Sequence, residues 1–417
     1  MTMRIRRINV NDLLNFSVLL LIVLICLPIT QCLPEIVRKA FQAVSIGTFI
    51  IGMIIKRDGH ILFRYILLVA FFGTYVIMVW EYRQSFFTCL FNVLSIVEIC
   101  CFGLYIVEKK IDISALEKLL KIVLILMTVT SITTIVGLVQ FPLAVRELGR
   151  SVGYASSYGN FEALKWTYRL HNIAGWSQLY GLVFYAPVAL SLYRIKKDKL
   201  YLVSAVLCEI CIIMGQITFA LLLSIVLLFL MMYRPPKTAN QFIVWALVLA
   251  AIVLIILNFR HILEFAIEFF GNCGLDMLTI KLRNLYQLTN KSLSGDALDR
   301  FVLYQKSIAV FKNYPILGFI LSGNRIEDVF CYHSEFFDML GFYGFFGIIV
   351  STVIISRYLY WLRTQIIDRW PFYILLVGLL SLYIFNPIWY SPQIFLGGLL
   401  IPAIIDRMKD NRQMGGI

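Results

Sequence analysis

The sequence predicts an all-α, polytopic membrane protein with about twelve transmembrane helices, and three observations lead there. Of 417 residues, 60% are hydrophobic and 15% charged, against about 45–50% and about 25% in a soluble domain. A water-facing globule has no interior large enough for that apolar share, and the mean hydropathy of +0.84 agrees. The apolar residues also fall in runs close to the roughly 20 residues that a spanning helix needs. Finally, the 37 Lys and Arg, which leave a net charge of +13, are sorted along the chain in a way that membrane topology explains and nucleic-acid binding does not.

In chain order, the apolar windows lie at about 13–33, 38–55, 61–80, 86–107, 121–141, 172–193, 200–215, 216–233, 239–258, 336–356, 371–389 and 391–405. The first is too long for the apolar core of a secretory signal, and no small-x-small site follows it, so it is read as a span. The whole of 1–417 reads as one integral membrane domain, without internal repeat or low-complexity tract.

Short loops rich in Lys and Arg stay in the cytoplasm. With Arg4, Arg6 and Arg7 inside, the predicted cytoplasmic segments hold 22 of the 37 cations, and the short outer loops hold only Arg38, Lys39 and Arg83. Both termini are therefore expected in the cytoplasm. The remaining 12 cations lie in two long outer segments, 142–171 and 259–335. Loops of that length are unusual and commonly functional, so the chemistry is expected on the outer face. Trp80, Tyr82, Trp389 and Tyr390 fall at outer ends, and Trp361 and Trp370 flank an inner loop, as interface anchors do.

The longer outer segment has internal order. Asp296 can cap a helix in which Phe301, Tyr304, Ile308 and Phe311 form one stripe, and Asn313 and Pro315 end it. Such an amphipathic helix would lie on the bundle or in the headgroup layer, with Arg300 leaving its first turn. A salt bridge to Asp296 or Asp299 is the structural alternative for Arg300. Next comes His333-Ser334-Glu335-Phe336-Phe337-Asp338, running into Gly341, Gly344 and Gly347. If helical throughout, this stretch has His333 crowning a glycine-lined face, which permits either close helix contact or passage of a lipid chain.

His333-Ser334, nine residues, then Gly344-x-x-Gly347, at the outer start of a span after a long outer loop, resembles the signature of the O-antigen ligase and O-antigen polymerase superfamily. Arg300 with Asn313-Tyr314-Pro315-Ile316-Leu317-Gly318 is similar to the family's run of arginine, tryptophan and Pro-Leu-x-Gly, although 301–304 lacks the tryptophan. Arg150-Ser151-Val152-Gly153 and His171-Asn172-Ile173-Ala174 resemble its arginine-glycine segment before a span opening with Asn.

The resemblance implies a GT-C-like membrane glycosyltransferase in a bacterial cytoplasmic (inner) membrane. Such an enzyme transfers an oligosaccharide from undecaprenyl diphosphate to an acceptor on the outer face, without metal, nucleotide sugar or other cofactor. It implies lipid-linked repeats as substrate, with membrane lipids, a chain-length regulator and a flippase as further partners. Polymerase is favoured over ligase because polymerases are the more numerous members. The chemistry agrees: arginine forks suit a diphosphate, and a histidine accepts a hydroxyl proton near neutral pH. His333 is thus the expected base and Arg300 the expected diphosphate ligand. Arg150 and Arg169 are the next cations, and Glu335, Asp338 and Asn172 candidate contacts to substrate. His171 and His261 also face outward with weaker claims.

Glu98 and Glu209 lie within spans, where a charge costs about 2.5–3.5 kcal/mol on insertion scales. They are the main support for the rival reading, a twelve-span secondary transporter or flippase, and an interhelical hydrogen bond is their plainer explanation. Cys208-x-x-Cys211 in an apolar run reads as packing, while Cys273 and Cys331 alone lie well outside the bilayer. The chain has no ATP-binding phosphate loop, zinc-protease helix or nucleophile elbow.

Overall fold

The computed structural model describes residues 10–57, 59–80, 86–108, 111–148, 161–232, 258–289, 296–321, 333–366, 369–386, 388 and 391–414. The described residues contain no strand. In order the helices are α1 Val10–Cys26, α2 Glu35–Ile55, α3 Gly59–Trp80, α4 Phe86–Val107 and α5 Ile113–Gln140. Then come α6 Ala144–Leu148, α7 Phe161–Leu170, α8 Trp176–Lys196, α9 Lys199–Met214 and α10 Thr218–Met232. After the segment 233–257 follow α11 Phe259–Asn272, α12 Asp276–Thr289, α13 Asp296–Asn313, α14 Glu335–Gln365 and α15 Arg369–Phe385. The chain closes with α16 Pro392–Phe395, a π-turn Leu396–Leu400 and α17 Ile401–Met414.

Four helices, α2, α4, α5 and α14, are long and apolar enough to cross a membrane, and α1, α10, α15 and Gly59–Phe71 are shorter apolar helices. The protein is a helical, membrane-embedded one. All of the predicted window at 239–258 except Asn258 lies outside the described residues, as do Tyr82, Trp389 and Tyr390.

The apolar residues do two jobs. Those of α4, α8 and the C-terminal run 392–408 are buried nearly all round and make the centre of the bundle, as expected of a helix that is hydrophobic on every face. Glycines let the backbones approach there: a Cβ on Gly397 would stand 2.9 Å from the Gly181 carbonyl. Other apolar residues point outward. On α5, Ile125, Val129, Ile132, Val136 and Val139 form an exposed stripe, with Val136 at 66% and Val139 at 74%. Water would penalise such a stripe and hydrocarbon favours it.

Hydroxyls and amides join helices inside this apolar mass. Ser45 of α2 donates to Glu98 of α4 at 2.9 Å, and Ser224 of α10 donates to Glu209 of α9. Both intramembrane carboxyls therefore have the interhelical partner that the plainer reading expected. Cys208 and Cys211 are buried free thiols.

Several cations predicted to be cytoplasmic are tied to neighbouring helices. Lys56 contacts Asn11 and Tyr105, Arg64 pairs with Glu108 and lies over Trp361, and Arg357 approaches the same ring. Lys196 meets Glu117 at 3.3 Å, and the Trp370 indole donates to the Leu230 carbonyl.

Candidate functional site

α13 and α14 pack side by side in parallel. Tyr304 stacks on Phe337 at 4.9 Å, a Cβ on Gly341 would stand 2.9 Å from that of Ser307, and Phe311 meets Phe345 at 4.8 Å. Each pair is offset by 33 or 34 positions. Carried back one turn, the offset sets the backbone of Arg300 level with His333 and Ser334. The side chain of Arg300 is outside the described set.

The turn that follows α13 locks this register. Gly344 interrupts α14 with φ 62° and ψ −153°, which frees two backbone donors. Phe345 N–H donates to the Pro315 carbonyl at 2.8 Å and Phe346 N–H to that of Ile316 at 3.1 Å. Gly318, at φ 56°, lies so close that a Cβ would be 2.4 Å from the Gly341 carbonyl. The Pro315–Gly318 run is thus a plug in the break of α14. Of the two expectations for the glycine face, close backbone contact is the one observed at 341 and 344.

The structure also corrects the position of His333. Ser334 caps α14 by accepting the Phe337 N–H at 3.2 Å, with extended backbone at φ −155°. His333 therefore precedes the helix in a bend, half-buried, and does not share a helical face with the glycines. A serine followed by acids at the first and fourth helical positions is a strong start signal.

Glu335 and Asp338, in the first turn of α14, are both buried. Glu335 Oε2 accepts the Ile388 N–H at 3.0 Å, and Asp338 Oδ1 accepts the Ser307 hydroxyl at 3.4 Å. They therefore join α14 to its neighbours, whatever else they touch.

A second group of cations surrounds the end of α7. Arg169 Nε is buried without a hydrogen-bond partner. Arg38 and Lys165 both feel its positive charge. Lys165 is buried, 3.9 Å from the exposed Glu162. Burial pushes the Lys165 ammonium below its ordinary pKa, opposed by Glu162 and reinforced by Arg169. An anion is the ligand such a group favours. Lys165 was missed in the sequence because its burial depends on how α7 packs.

Asn172 is committed elsewhere. Its backbone is left-handed, φ 53°, and its amide accepts the Ile29 N–H at 3.0 Å and donates to Thr133 at 2.9 Å. It fastens the end of α7 to the turn 28–32 and to α5. Arg150 and Cys331 lie outside the described residues. His171 is exposed beside Phe141, and His261 is exposed against Glu264.

The short segment 388–393 is bonded to α14, α8 and α1. Ile388 is held by Glu335, Ser391 bonds Ser177 at 2.9 Å, and Gln393 donates to the Ile25 carbonyl at 3.0 Å. Two buried amide atoms here, Asn386 Nδ2 and Gln393 Oε1, have no hydrogen-bond partner. Each unmet group costs about 1–3 kcal/mol, so this hub suits a polar guest. The turn dipeptides Asn386-Pro387 and Ser391-Pro392 are its visible signal.

No protein-family model, curated protein or solved structure matches the chain.

Proposed function

We propose that the protein is a membrane glycosyltransferase that polymerises undecaprenyl-diphosphate-linked oligosaccharide repeats on the outer face of a bacterial cytoplasmic membrane. The reading includes twelve spans with both termini inside. The observation that carries it is the parallel α13–α14 register, with the backbone of Arg300 level with His333 and the register held by the Pro315–Gly318 plug. Beyond Gly344, α14 rises about 31 Å at 1.5 Å per residue, close to the hydrocarbon thickness. On this reading the break lies near the membrane surface and His333 stands above it.

The chemistry follows from those positions. His333 accepts the proton of an acceptor sugar hydroxyl as its oxygen attacks the anomeric carbon. The bond from that carbon to the diphosphate oxygen breaks, and undecaprenyl diphosphate leaves. Arg300 stabilises the charge that grows on the leaving group. Arg169, with Lys165 and Arg38, offers a further anion-binding group, with Arg150 as another cation of the same loop. Glu335 and Asp338 hold the first turn of α14, which follows His333.

Reconstitution with one defined lipid-linked repeat tests the reading. Products should grow by whole repeats, and His333→Ala should cut the rate by about 10²–10⁴-fold, the usual worth of a general base. Arg300→Ala should also abolish long products, and Glu98→Gln should not. Unchanged product lengths in both site variants would overturn the assignment. Transfer only to a different acceptor would make the protein a ligase with the same donor chemistry.

A further inference from the structure

The helix α11 is amphipathic in an unusual way. At 100° per residue, Arg260, His261, Glu264, Glu268 and Asn272 fall on one side, and the rest of the circumference is apolar. Part of the apolar arc is covered by α12, where Leu263 and Leu278 are buried. The other part is bare: Phe265 is 70% exposed, Phe269 51% and Ile262 40%, and the two phenylalanine rings stack at 6.2 Å.

We infer that the bare Ile262–Phe265–Phe269 face lies in the outer leaflet of the bilayer, so that α11 anchors the long outer segment to the lipid surface. The chain argues for lipid over a protein partner. Residues 241–257 carry no charge, and α11 starts two positions later. With 239–258 read as a span, as in the proposed function, the first turn of α11 is tethered where hydrocarbon meets water. The acids Glu264 and Glu268 lie outside that face, about 130° and 90° round the helix from its centre. Exposed aromatic and aliphatic side chains on one face with charges on the other are the pattern of an interfacial helix. Of the two places open to the helix α13, the bundle and the headgroup layer, it takes the first and packs on α14.

Single tryptophan substitutions in the full-length protein, reconstituted right side out in vesicles of brominated or ordinary phosphatidylcholine, test this. Emission is taken as the difference from the parent protein, which has seven tryptophans. The F265W and F269W variants should lose emission in brominated lipid and resist external iodide, while E268W should show the reverse. Quenching of F265W and F269W by iodide, with no effect of bromine, would overturn the lipid contact and leave the proposed function standing. Iodide reaching E268W only after permeabilisation would put the hairpin on the inner leaflet and overturn both.

Discussion

Gly344 and Gly274 both have positive φ but different surroundings, and Gly344, at ψ −153°, also lies in a region that only glycine readily adopts. Both have positive φ, 62° and 72°, but a Cβ at 344 would meet the Pro315 carbonyl at 2.6 Å, whereas nothing lies within 4 Å at 274. An L-residue in the left-handed region costs about 1–2 kcal/mol. Gly274→Ala should show about that much. Gly344→Ala adds a clash with backbone and the loss of the plug's two hydrogen bonds, so its thermal unfolding in detergent should fall by several degrees more. Equal shifts would mean that the plug does not hold α14. Asn172 gives a sharper distinction between support and chemistry. Asn172→Gly keeps the left-handed backbone and removes bonds to Ile29 and Thr133, each worth about 1 kcal/mol. Stability should drop while folded protein keeps its turnover. A stable variant without turnover would return Asn172 to the substrate site.

At the scale of elements, the pair α11–α12 is held in part by the carboxylate of Glu264 on α11, which accepts the hydroxyl of Tyr286 on α12. Glu264 is kept below its ordinary value of 4.5, first by the Tyr286 hydroxyl at 2.6 Å and then by His261. A carboxylate with a lowered folded pKa contributes stability above its unfolded pKa and loses it as pH falls through the folded one. Amide exchange across 259–289, corrected for intrinsic rate, should therefore be steady near neutrality and quicken below about pH 4.5, the ordinary value of Glu264. Glu264→Gln should remove that dependence. The helices themselves were largely legible beforehand. α4 occupies Phe86–Val107 and α13 Asp296–Asn313 as expected, because apolar runs and turn residues mark their ends. The break in α14 was not legible. Gly341 to Gly347 reads locally as continuous helix, and only the carbonyls of Pro315 and Ile316, almost thirty positions earlier, make an interruption there favourable. The shift of His333 off the helix, by contrast, was present in the cap signature at Ser334.

For the whole molecule, the question is which end faces out, and the charges make a testable statement. Lys56, Arg64, Lys196 and Arg357 are bound among Asn11, Tyr105, Glu108, Glu117 and Trp361, all residues of predicted inner ends. The site residues instead belong to segments that alternate with them along the chain. Burial in the bundle could be read from apolar runs, but the pairing of the 388–393 segment with α1, α8 and α14 could not, since it joins residues more than 200 positions apart in two of three cases. The chain carries its own probe of orientation. Cys273 is exposed, whereas the other described cysteines are buried or half-buried. With the His333 end outside, a membrane-impermeant maleimide added to intact cells should label Cys273, and Cys273→Ser should abolish most of that labelling. In the Cys273→Ser background, Lys197→Cys should be labelled only after permeabilisation, since Lys197 sits in the basic turn between α8 and α9. Transferring Lys and Arg across a membrane is costly, so the basic turns should hold this orientation in every molecule. Labelling of Lys197→Cys in intact cells, with Cys273 silent, would invert the protein and remove the outer-face chemistry with it.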